Sequence, residues 1–511
     1  MRNLAPSSLA MLGIATLLAM TEQAFFNNLL YPIERSLNLT VTRKQHMTNE
    51  IRYEYDAVKG FAVSSLFWAI VGLLVGVLIS IQLVYPQFNL TSWLTYGRLR
   101  PIHTNALIYG FTVPAAFSLF FFLVQRLGRV PLAYPGLARF TLYFFNIAIV
   151  LAALSLFAGM SQSKEYSELE WPLDIGVVIL WVLFSINIIA TIMKRKEEQM
   201  YVSLWYILAT VAGVAIVYIG NNIAVPVSLF KSYSAYAGAN DANVQWWFGH
   251  NAVAFVFTTI PLAVFYYILP KSSGAPLYSH RLSIVGFWSL VFAYLWTGAH
   301  HLLYTPLPDW IQTVAIAFSI FLIAPSWASV INGYGTMNGQ WEQMRSNYLV
   351  KFIVLGITFY GLQTIQGPSQ AIRAFSALIH YTDWVPGHVH MGTMGWVTMT
   401  LSAGFYYMLP RIYNTEIYSV KLANLHFWLV LVGQLIYSVT MWITGIRQGA
   451  MWQAVDTDGG LVYANFIQTL TPNYPFWNMR TLGGIIFLAG FLVFVYNILQ
   501  TIRNAPAAQR A

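Results

Sequence analysis

The sequence predicts an all-α fold, a polytopic membrane helical bundle of about 12 transmembrane helices. Of its 511 residues, 57% are hydrophobic and 9% are charged, whereas a soluble domain carries roughly 25% charged residues. The apolar segments last about 20 residues, which is the length that an α-helix needs to cross the hydrocarbon core. A membrane β-barrel would instead show strands of roughly ten residues with alternating polarity. We therefore expect most of this chain to lie in a bilayer.

The spans follow one another along most of the chain. They are predicted at residues 60–84, 103–125, 138–159, 173–193, 201–225, 244–269, 280–305, 309–332, 347–366, 384–409, 421–445 and 482–503. Residues 1–55 form an N-terminal extension, whose apolar part is suited to an interfacial helix or one extra span. We find no internal repeat, so we expect one membrane domain, residues 56–505, and a tail, residues 506–511.

The distribution of charge predicts how the bundle is oriented. The loops after the even-numbered spans are richer in Lys and Arg than the opposite loops, and such loops face the cytoplasm. Both ends of the 12-helix core are therefore expected inside a bacterial inner membrane. The pI of about 9.4 follows from this distribution beside anionic lipid, so we expect no nucleic-acid partner.

The chain has no cysteine. This excludes disulfides, iron-sulfur clusters, thiolate copper sites and the C-x-x-C-H attachment of a c-type heme. Any c-type heme that works with this protein must be carried by a partner.

Histidines indicate the functional centre. Six of the ten lie within roughly 10 Å of one predicted outer plane: His103, His250, His300, His301, His388 and His390. A single histidine in a span is often a hydrogen-bonded helix contact, but six at one level indicate a buried metal and heme centre. We interpret the other four as structural.

Spacing divides these six residues. On a helix His388 and His390 lie about 200° apart, so they should serve two different heme irons. His300 and His301 lie about 100° apart, and with His250 they can form a three-imidazole site. Imidazole suits copper, zinc, iron or nickel, and copper is favoured because no carboxylate or thiolate is nearby.

Four segments carry a resemblance to a known family. They are GRLRPIHTN (97–105), WWFGHN (246–251), YLWTGAHH (294–301) and YTDWVPGHVH (381–390). In these segments the chain resembles the catalytic subunit of the cbb3-type cytochrome c oxidases, in the C branch of the heme-copper oxygen reductases. The resemblance extends over residues 53–503, and it implies the heme-copper oxidase subunit I fold.

The resemblance implies a role for each histidine. His103 and His390 would be the axial ligands of a low-spin heme b, and His388 the proximal ligand of a high-spin heme b3. His250, His300 and His301 would bind the copper ion. Tyr294 resembles the family's redox-active tyrosine, which is cross-linked to the histidine that matches His250. Tyr294 comes seven residues before His301, so the two residues are expected to share one face of the predicted span.

Two outer loops carry further candidates. Arg98 and Arg100 precede His103, where a guanidinium could pair with heme propionates, and we prefer Arg100. Glu165, Glu168 and Glu170 could hold a cation, since carboxylates suit calcium.

The implied reaction is the reduction of O2 to water, coupled to proton uptake and pumping in a respiratory chain. Electrons would enter from membrane-anchored c-type cytochrome subunits, supplied by cytochrome c or a similar donor. Because the predicted spans contain no Glu and have Asp only at their boundaries, at Asp174 and Asp309, we expect protons to follow hydroxyl groups. The candidates for this path are Ser283, Ser289, Tyr360 and Thr364, with Tyr348 and Thr358 on the same span as the last two.

One position departs from the family pattern. Gln366 stands where many relatives are expected to have Glu, close to the proximal histidine. An amide does not take up a proton, so the basicity at heme b3 is expected to differ.

Two other functions were weighed. A nitric oxide reductase shares the six-histidine plan but carries a Glu, to hold non-heme iron, one turn after the histidine that matches His250. Here that position is Ala254. A solute transporter of this size would show paired halves or broken helices around a midplane site, and we find neither in the sequence.

Overall fold

The computed structural model describes residues 51–507, and most of them are helical. Ten helices of this part are long and apolar enough to cross a membrane. Two further helices, α7 and α10 below, coincide with predicted spans seven and ten, which is consistent with a 12-helix bundle. The predicted extension lies outside the described residues except for 51–55, and the tail except for 506–507.

The long helices follow the predicted spans closely. In chain order they are α1 (Asp56–Val84), α2 (Tyr96–Gly128), α3 (Pro135–Ala158), α4 (Trp171–Met193), α5 (Val202–Asn221), α6 (Gly238–Ser273), α7 (His280–Tyr294), α8 (Asp309–Thr336), α9 (Tyr348–Ala371), α10 (384–412), α11 (Val420–Trp452) and α12 (Tyr474–Arg503).

Short elements lie between these helices. They are the 3-10 turns Pro86–Phe88, Gly298–Leu302 and Thr471–Asn473, the helices Gln343–Ser346, Arg373–Ile379 and Phe466–Leu470, and the antiparallel strands β1 (Ala224–Ser228) and β2 (Lys231–Ser234). Ala224 is paired with Ser234 in this hairpin.

Local sequence signals account for several helix ends. Pro135 and Pro172 lie in the first turns of α3 and α4, where a missing backbone N–H costs nothing. α3 ends at Gly159, whose φ of 78° is left-handed and therefore suits glycine. The side chains of Ser279 and Ser419 cap the first turns of α7 and α11, as serine commonly does.

Three helices form the inside of the bundle. The apolar windows of α2 and α6 are 89% and 83% buried, against 33–56% for the other candidate spans, and α10 is buried almost without a break from residue 391 to 410. A helix that is apolar on all sides is expected in such an interior position. His103, His250, His388 and His390 lie on these three inner helices.

Each inner helix widens into a π-helical stretch directly after a histidine. The stretches are Ala106–Thr112 after His103, Val253–Thr258 after His250 and Met391–Val397 after His390. A π stretch adds residues to a turn and is frequent at functional sites. The wider turns therefore mark the level of the histidines in all three helices.

A two-residue clamp between neighbouring helices occurs three times in the described residues. The side-chain amide of Asn187, near the C-terminal end of α4, both donates to and accepts from the backbone of Tyr134, just before α3. Thr191, one turn later, accepts from the N–H of Ala133. The same two-residue clamp recurs with Asn332 and Thr336.

A third clamp joins α11 to α12. Asn497 bonds the backbone of Ser419, and Thr501 accepts from Tyr418. The clamps therefore recur every four helices. The sequence did not reveal them because Asn and Thr one turn apart are unremarkable in a membrane helix.

Candidate functional site

Three histidines converge into a cluster that could hold a metal ion. One imidazole nitrogen from each of His250, His300 and His301 lies within 4.8 Å of the other two. We call these residues the three-histidine cluster. The ring centroids of His250 and His300 are 4.4 Å apart, and Nδ1 of His250 lies 3.1 Å from Nε2 of His301. Uncharged imidazole nitrogens that face one another at this distance suit a shared metal ion.

Hydrogen bonds indicate which ring nitrogen of His300 and of His250 is available to bind a metal. Ser319 donates its hydroxyl hydrogen to the carbonyl of Ala315, so its oxygen accepts from Nδ1–H of His300 at 2.5 Å. Nε2 of His300 therefore keeps its lone pair for a metal. His250 presents Nδ1 to the cluster, and its Nε2 is buried without a hydrogen-bond partner among the described residues.

The helix that was predicted to carry His300 and His301 ends earlier than expected. α7 stops at Tyr294, and the two histidines lie on the following 3-10 turn, Gly298–Leu302. The sequence-based angles for a continuous helix were therefore wrong, although the three residues still meet. The turn comes close to α6 because Gly298 has no side chain: a Cβ there would lie 2.6 Å from the backbone oxygen of Trp246.

Tyr294 lies beside the three-histidine cluster. Its ring centroid is 5.5 Å from that of His250, and its hydroxyl is 3.2 Å from Oγ1 of Thr258. The side chain is buried. The predicted neighbours Tyr294 and His250 are thus adjacent, and they are brought together by α6 and the end of α7.

The second group is the histidine pair, His103 and His390. Their ring centroids lie 6.4 Å apart and their planes are within 8°. Two imidazoles on opposite sides of one metal ion, with bonds of about 2 Å, would have ring centres roughly 6 Å apart. The pair therefore fits a six-coordinate heme iron.

Backbone carbonyls hold both rings of this pair. Nδ1 of His103 lies 2.8 Å from the oxygen of Gly72, and Nδ1 of His390 lies 2.8 Å from the oxygen of Pro386. A carbonyl only accepts, so each Nδ1 carries the hydrogen and each Nε2 is free for a metal. Gly76 makes room for His103, because a Cβ there would lie 2.5 Å from Cε1 of the ring.

His388 points to the other side of α10, as its spacing from His390 predicted. Its Nδ1 lies 3.3 Å from Oε1 of Gln366 on α9. Gly367, the next residue of α9, leaves space beside Nε2 of the ring. His388 is therefore separate from both groups and is oriented by the amide that replaces the expected Glu.

Comparison with known proteins identifies the family. The family described as Cytochrome C and Quinol oxidase polypeptide I matches residues 56–486, which include all six histidines. The chain belongs to this family.

Several relatives are similar to this chain over most of its length. It is 45% identical to the cbb3-type cytochrome c oxidase subunit CcoN1 of Stutzerimonas stutzeri, over 89% of this chain and 97% of that protein. It is 42% identical to a cytochrome c oxidase subunit 1 homolog of Azorhizobium caulinodans, over 91% of this chain and 85% of the relative. It is 43% identical to a bacteroid cytochrome c oxidase subunit 1 homolog of Bradyrhizobium diazoefficiens, over 89% of this chain and 83% of the relative. The predicted resemblance is confirmed, and this polypeptide I chain is a subunit of a heme-copper oxidoreductase.

In this polypeptide I chain the two predicted arginines have partners in an outer loop. Arg100 forms an ion pair with Glu165, while the guanidinium of Arg98 lies against Gly159. Burial raises the pKa of Glu168 in the same loop, and its carboxylate accepts from Asn105 and from the N–H of Tyr166. Glu170 accepts from Ser232. The three glutamates thus have separate partners.

A buried arginine near the histidine pair was not predicted. Arg480 of α12 lies 3.3 Å from Oδ1 of Asp383, whose other oxygen accepts from Trp477 at 2.6 Å and from Gln448 at 2.8 Å. Arg480 also lies over the ring of Tyr437, which contacts His390. Asp383 and Arg480 lie far apart in sequence, so only the neighbouring motif at 381–390 could have drawn attention to them.

The four hydroxyl candidates divide into two classes. Ser283 and Tyr360 are buried, and Ser283 accepts from Asn332 at 2.8 Å. Among residues 51–507, Ser289 and Thr364 bond only carbonyls of their own helices. Sequence reasoning missed Tyr266, whose hydroxyl lies 3.2 Å from Oγ of Ser329. It also missed Ser326, which with Tyr360 has a buried hydroxyl without a partner among the described residues.

Proposed function

We propose that this chain is the catalytic subunit of a cbb3-type terminal oxidase, which reduces O2 to water with electrons from c-type cytochromes. One observation carries the proposal: the structure groups six histidines as a pair, a single residue and a cluster of three. Each group leaves imidazole nitrogens for a metal, as described above. Family membership supplies the reaction class.

The residues present fit two hemes and one copper ion. His103 and His390 would hold the low-spin heme b, and His388 the high-spin heme b3. The three-histidine cluster would hold copper, since it offers only nitrogen ligands. When bound, these groups would supply the electron transfer and oxygen chemistry of the family.

Neighbouring backbone and side-chain groups orient those ligands. The carbonyls of Gly72 and Pro386 and the amide of Gln366 fix the tautomers of the three heme-ligand candidates. Ser319 does so for His300. Such neighbours typically contribute a factor of 10–100 in metal affinity or activity.

Tyr294 is proposed as the redox-active tyrosine. Nδ1 of His250 faces the cluster, so Nε2 is the nitrogen left for a covalent link to the neighbouring Tyr294 ring. The phenol beside the cluster would also hold a proton, which Thr258 can bond. Peptide mapping by mass spectrometry tests the link, and separate His250 and Tyr294 fragments without a joined one would contradict it.

Protons are proposed to arrive from the inner side through buried hydroxyl groups. Ser283 and Tyr360 remain candidates, and Tyr266, Ser329 and Ser326 lie in the same buried region of α6, α8 and α9. Unpartnered hydroxyls of this kind are expected to bind internal water. Ser289 and Thr364 have no such contact among the described residues, so they are weaker candidates.

The surroundings follow from this assignment. The chain would lie in a bacterial cytoplasmic membrane, with the ends of its helical core inside and the histidines toward the periplasm. Membrane-anchored c-type cytochrome subunits would be its partners. Arg100 remains a candidate for pairing with a heme propionate, and we add the buried Arg480 as a second candidate. Calcium at Glu165, Glu168 and Glu170 remains a prediction, and each of these residues already has a bonding partner within the protein.

Metal analysis separates the oxidase from a nitric oxide reductase. Ala254 is buried in the π stretch after His250, so no carboxylate comes from this position to hold iron. We expect copper near one ion per chain; iron without copper would favour the reductase.

A visible difference spectrum, reduced minus oxidised, tests the class as a whole. The oxidase should show signals of both b-type hemes. A preparation of folded protein without any heme signal would restore the transporter hypothesis.

A further inference from the structure

Buried acid groups are rare in this protein. Among the described residues only Glu168, Glu170 and Asp174 are buried carboxylates, and only Asp174 belongs to a long helix. It lies in the first turn of α4 and is 5% exposed. The reaction proposed above gives this carboxyl group no role.

The hydrogen-bond donors to the Asp174 carboxylate are all neutral. Oδ1 accepts from the hydroxyl of Tyr218 at 2.7 Å and from Nδ2 of Asn222 at 2.9 Å, and Oδ2 accepts from Nε2 of Gln162 at 3.2 Å. It forms no ion pair within residues 51–507. Burial without a counter-ion opposes the ionised form, whereas three donors favour it. These effects oppose each other, so both protonation states are accessible.

Other titratable groups face this position. Lys164, Glu168 and Glu170 lie on the preceding loop, and Tyr109 and Tyr218 come from α2 and α5. The nearest cation is Lys164, which is itself buried. A proton on Asp174 therefore changes the local charge next to one lysine and two carboxylates.

A hydrogen-bonded network leads from Asp174 to the surface. Asn222 is bonded to Asn221, whose side-chain oxygen lies 3.3 Å from Nζ of Lys164. Lys164 forms an ion pair with Asp241 at 3.1 Å, and the side chain of Asp241 is 37% exposed. The outer end of this network is therefore open to solvent.

The Tyr218 side of the network adjoins a buried apolar group that also contains Tyr294, the neighbour of the three-histidine cluster. The ring of Tyr218 packs edge-on against Phe248 with centroids 5.9 Å apart, and Phe248 comes two residues before His250. Tyr218, Phe248 and Tyr294 belong to one buried apolar group. In such a medium a change of charge at the cluster acts strongly on a nearby carboxyl group.

We propose that Asp174 is a proton-exchange residue between the three-histidine cluster and the outer surface. Its carboxylate binds one proton when electrons reach the cluster, and it later releases that proton toward Asp241 and the outer solvent. An O–H bond forms on Asp174 when the proton arrives from internal water, and it breaks when the proton passes to water beside the network; the N–H bonds of Asn221, Asn222 and Lys164 stay intact. The inference rests on the proposed oxidase function and adds a residue on the release side.

Infrared difference spectroscopy on the purified oxidase complex, reduced minus oxidised, tests this directly. Asp174→Asn keeps the size of the side chain and an oxygen that accepts from Tyr218. We expect a carboxylic acid C=O band that shifts in deuterated water in the wild type and is lost in this variant. Asp309→Asn removes an exposed carboxylate and is the matched control, in which the band should stay.

The same variants are then placed in lipid vesicles, and protons released per O2 are measured. Asp174→Asn should release fewer than half of the wild-type protons while O2 consumption without a membrane potential is retained. An unchanged band and unchanged release overturn the inference and leave the oxidase proposal intact. A wild-type complex that consumes no O2 overturns both.

Tyr218→Phe covers the case in which Asp174→Asn does not assemble. It removes one hydrogen bond to the carboxyl group, so the C=O band should shift in frequency but remain. A band that neither shifts nor disappears in Tyr218→Phe contradicts the proposal.

Discussion

The histidine pair and the three-histidine cluster are built in different ways. In the pair, backbone carbonyls of α1 and α10 fix the rings 6.4 Å apart. In the cluster, the rings are 4.4–5.3 Å apart and are positioned by a side chain, Ser319, and by a turn packed against α6. The ring positions of the pair therefore depend on helix backbones, whereas those of the cluster depend on the close packing of a loop.

This difference predicts that a substitution can disrupt one group of histidines and leave the other intact. The largest effect is expected from His250→Ala, which removes a direct ligand. Copper and O2 reduction should both fall by more than the 10–100-fold that a supporting neighbour contributes, while the spectrum of the low-spin heme is retained. Copper per chain and O2 consumption measure this.

His280→Ala is the control for that change, because His280 is exposed at the start of α7. It should keep its copper. Loss of the low-spin signal together with copper in His250→Ala would show that the two groups do not form independently.

Gly298→Ala tests the packed turn. The new Cβ would meet the backbone oxygen of Trp246 at 2.6 Å, so the turn must move away from α6 together with His300 and His301. We expect copper affinity to fall by roughly 10–100-fold, measured by titration with a copper chelator. Gly136→Ala, whose Cβ would meet nothing within 4 Å, should leave it unchanged.

Gly76→Ala is the matching change at the pair. Its Cβ would lie 2.5 Å from Cε1 and 2.8 Å from Nδ1 of His103, so the ring must rotate or lose its bond to Gly72. The low-spin heme signal should weaken while copper content is retained. Gly176→Ala, a helix position with no atom within 4 Å of the new Cβ, is the control. Loss of copper in Gly76→Ala would contradict the separation of the two groups.

Gln366→Leu should have the smallest effect. It removes the 3.3 Å contact with Nδ1 of His388, and one neutral hydrogen bond contributes about 1 kcal/mol, or roughly a fivefold change. We expect a shift of the high-spin heme signal with low-spin heme and copper unchanged. Gln370→Leu, one turn further along α9, should shift nothing; a shift of equal size there would show that the effect is not specific to His388.

The sequence was sufficient to predict the helices and the division of the six histidines into a pair, a single residue and a cluster of three. Apolar length predicts spans in a bilayer because backbone groups must be paired within the segment, and the six histidines lie in motifs that the family shares. The end of α7 at Tyr294 was missed because no proline occurs there and the first glycine comes four residues later. The close approach of the following turn to α6, between Gly298 and Trp246, is a tertiary contact.

The same limit explains the other omissions. Arg480 and Asp383 meet only after α10, α11 and α12 have packed together, and Asp174 acquires its partners from α5 and from a loop. Each of these residues looks like an ordinary boundary charge in the sequence, where a solvated position is the usual outcome. Their burial, rather than their type, makes them informative.

The Asn and Thr clamps have a consequence for biosynthesis. Each clamp joins helices that are consecutive in the chain, α3 with α4, α7 with α8 and α11 with α12. A hairpin of this kind can satisfy its buried backbone groups as soon as its second helix has entered the lipid, before the following helices are synthesised. Contacts that are local in sequence also form quickly. The three clamped hairpins can therefore form in the order in which they leave the ribosome, and the histidine centre is completed once α10 joins α2 and α6.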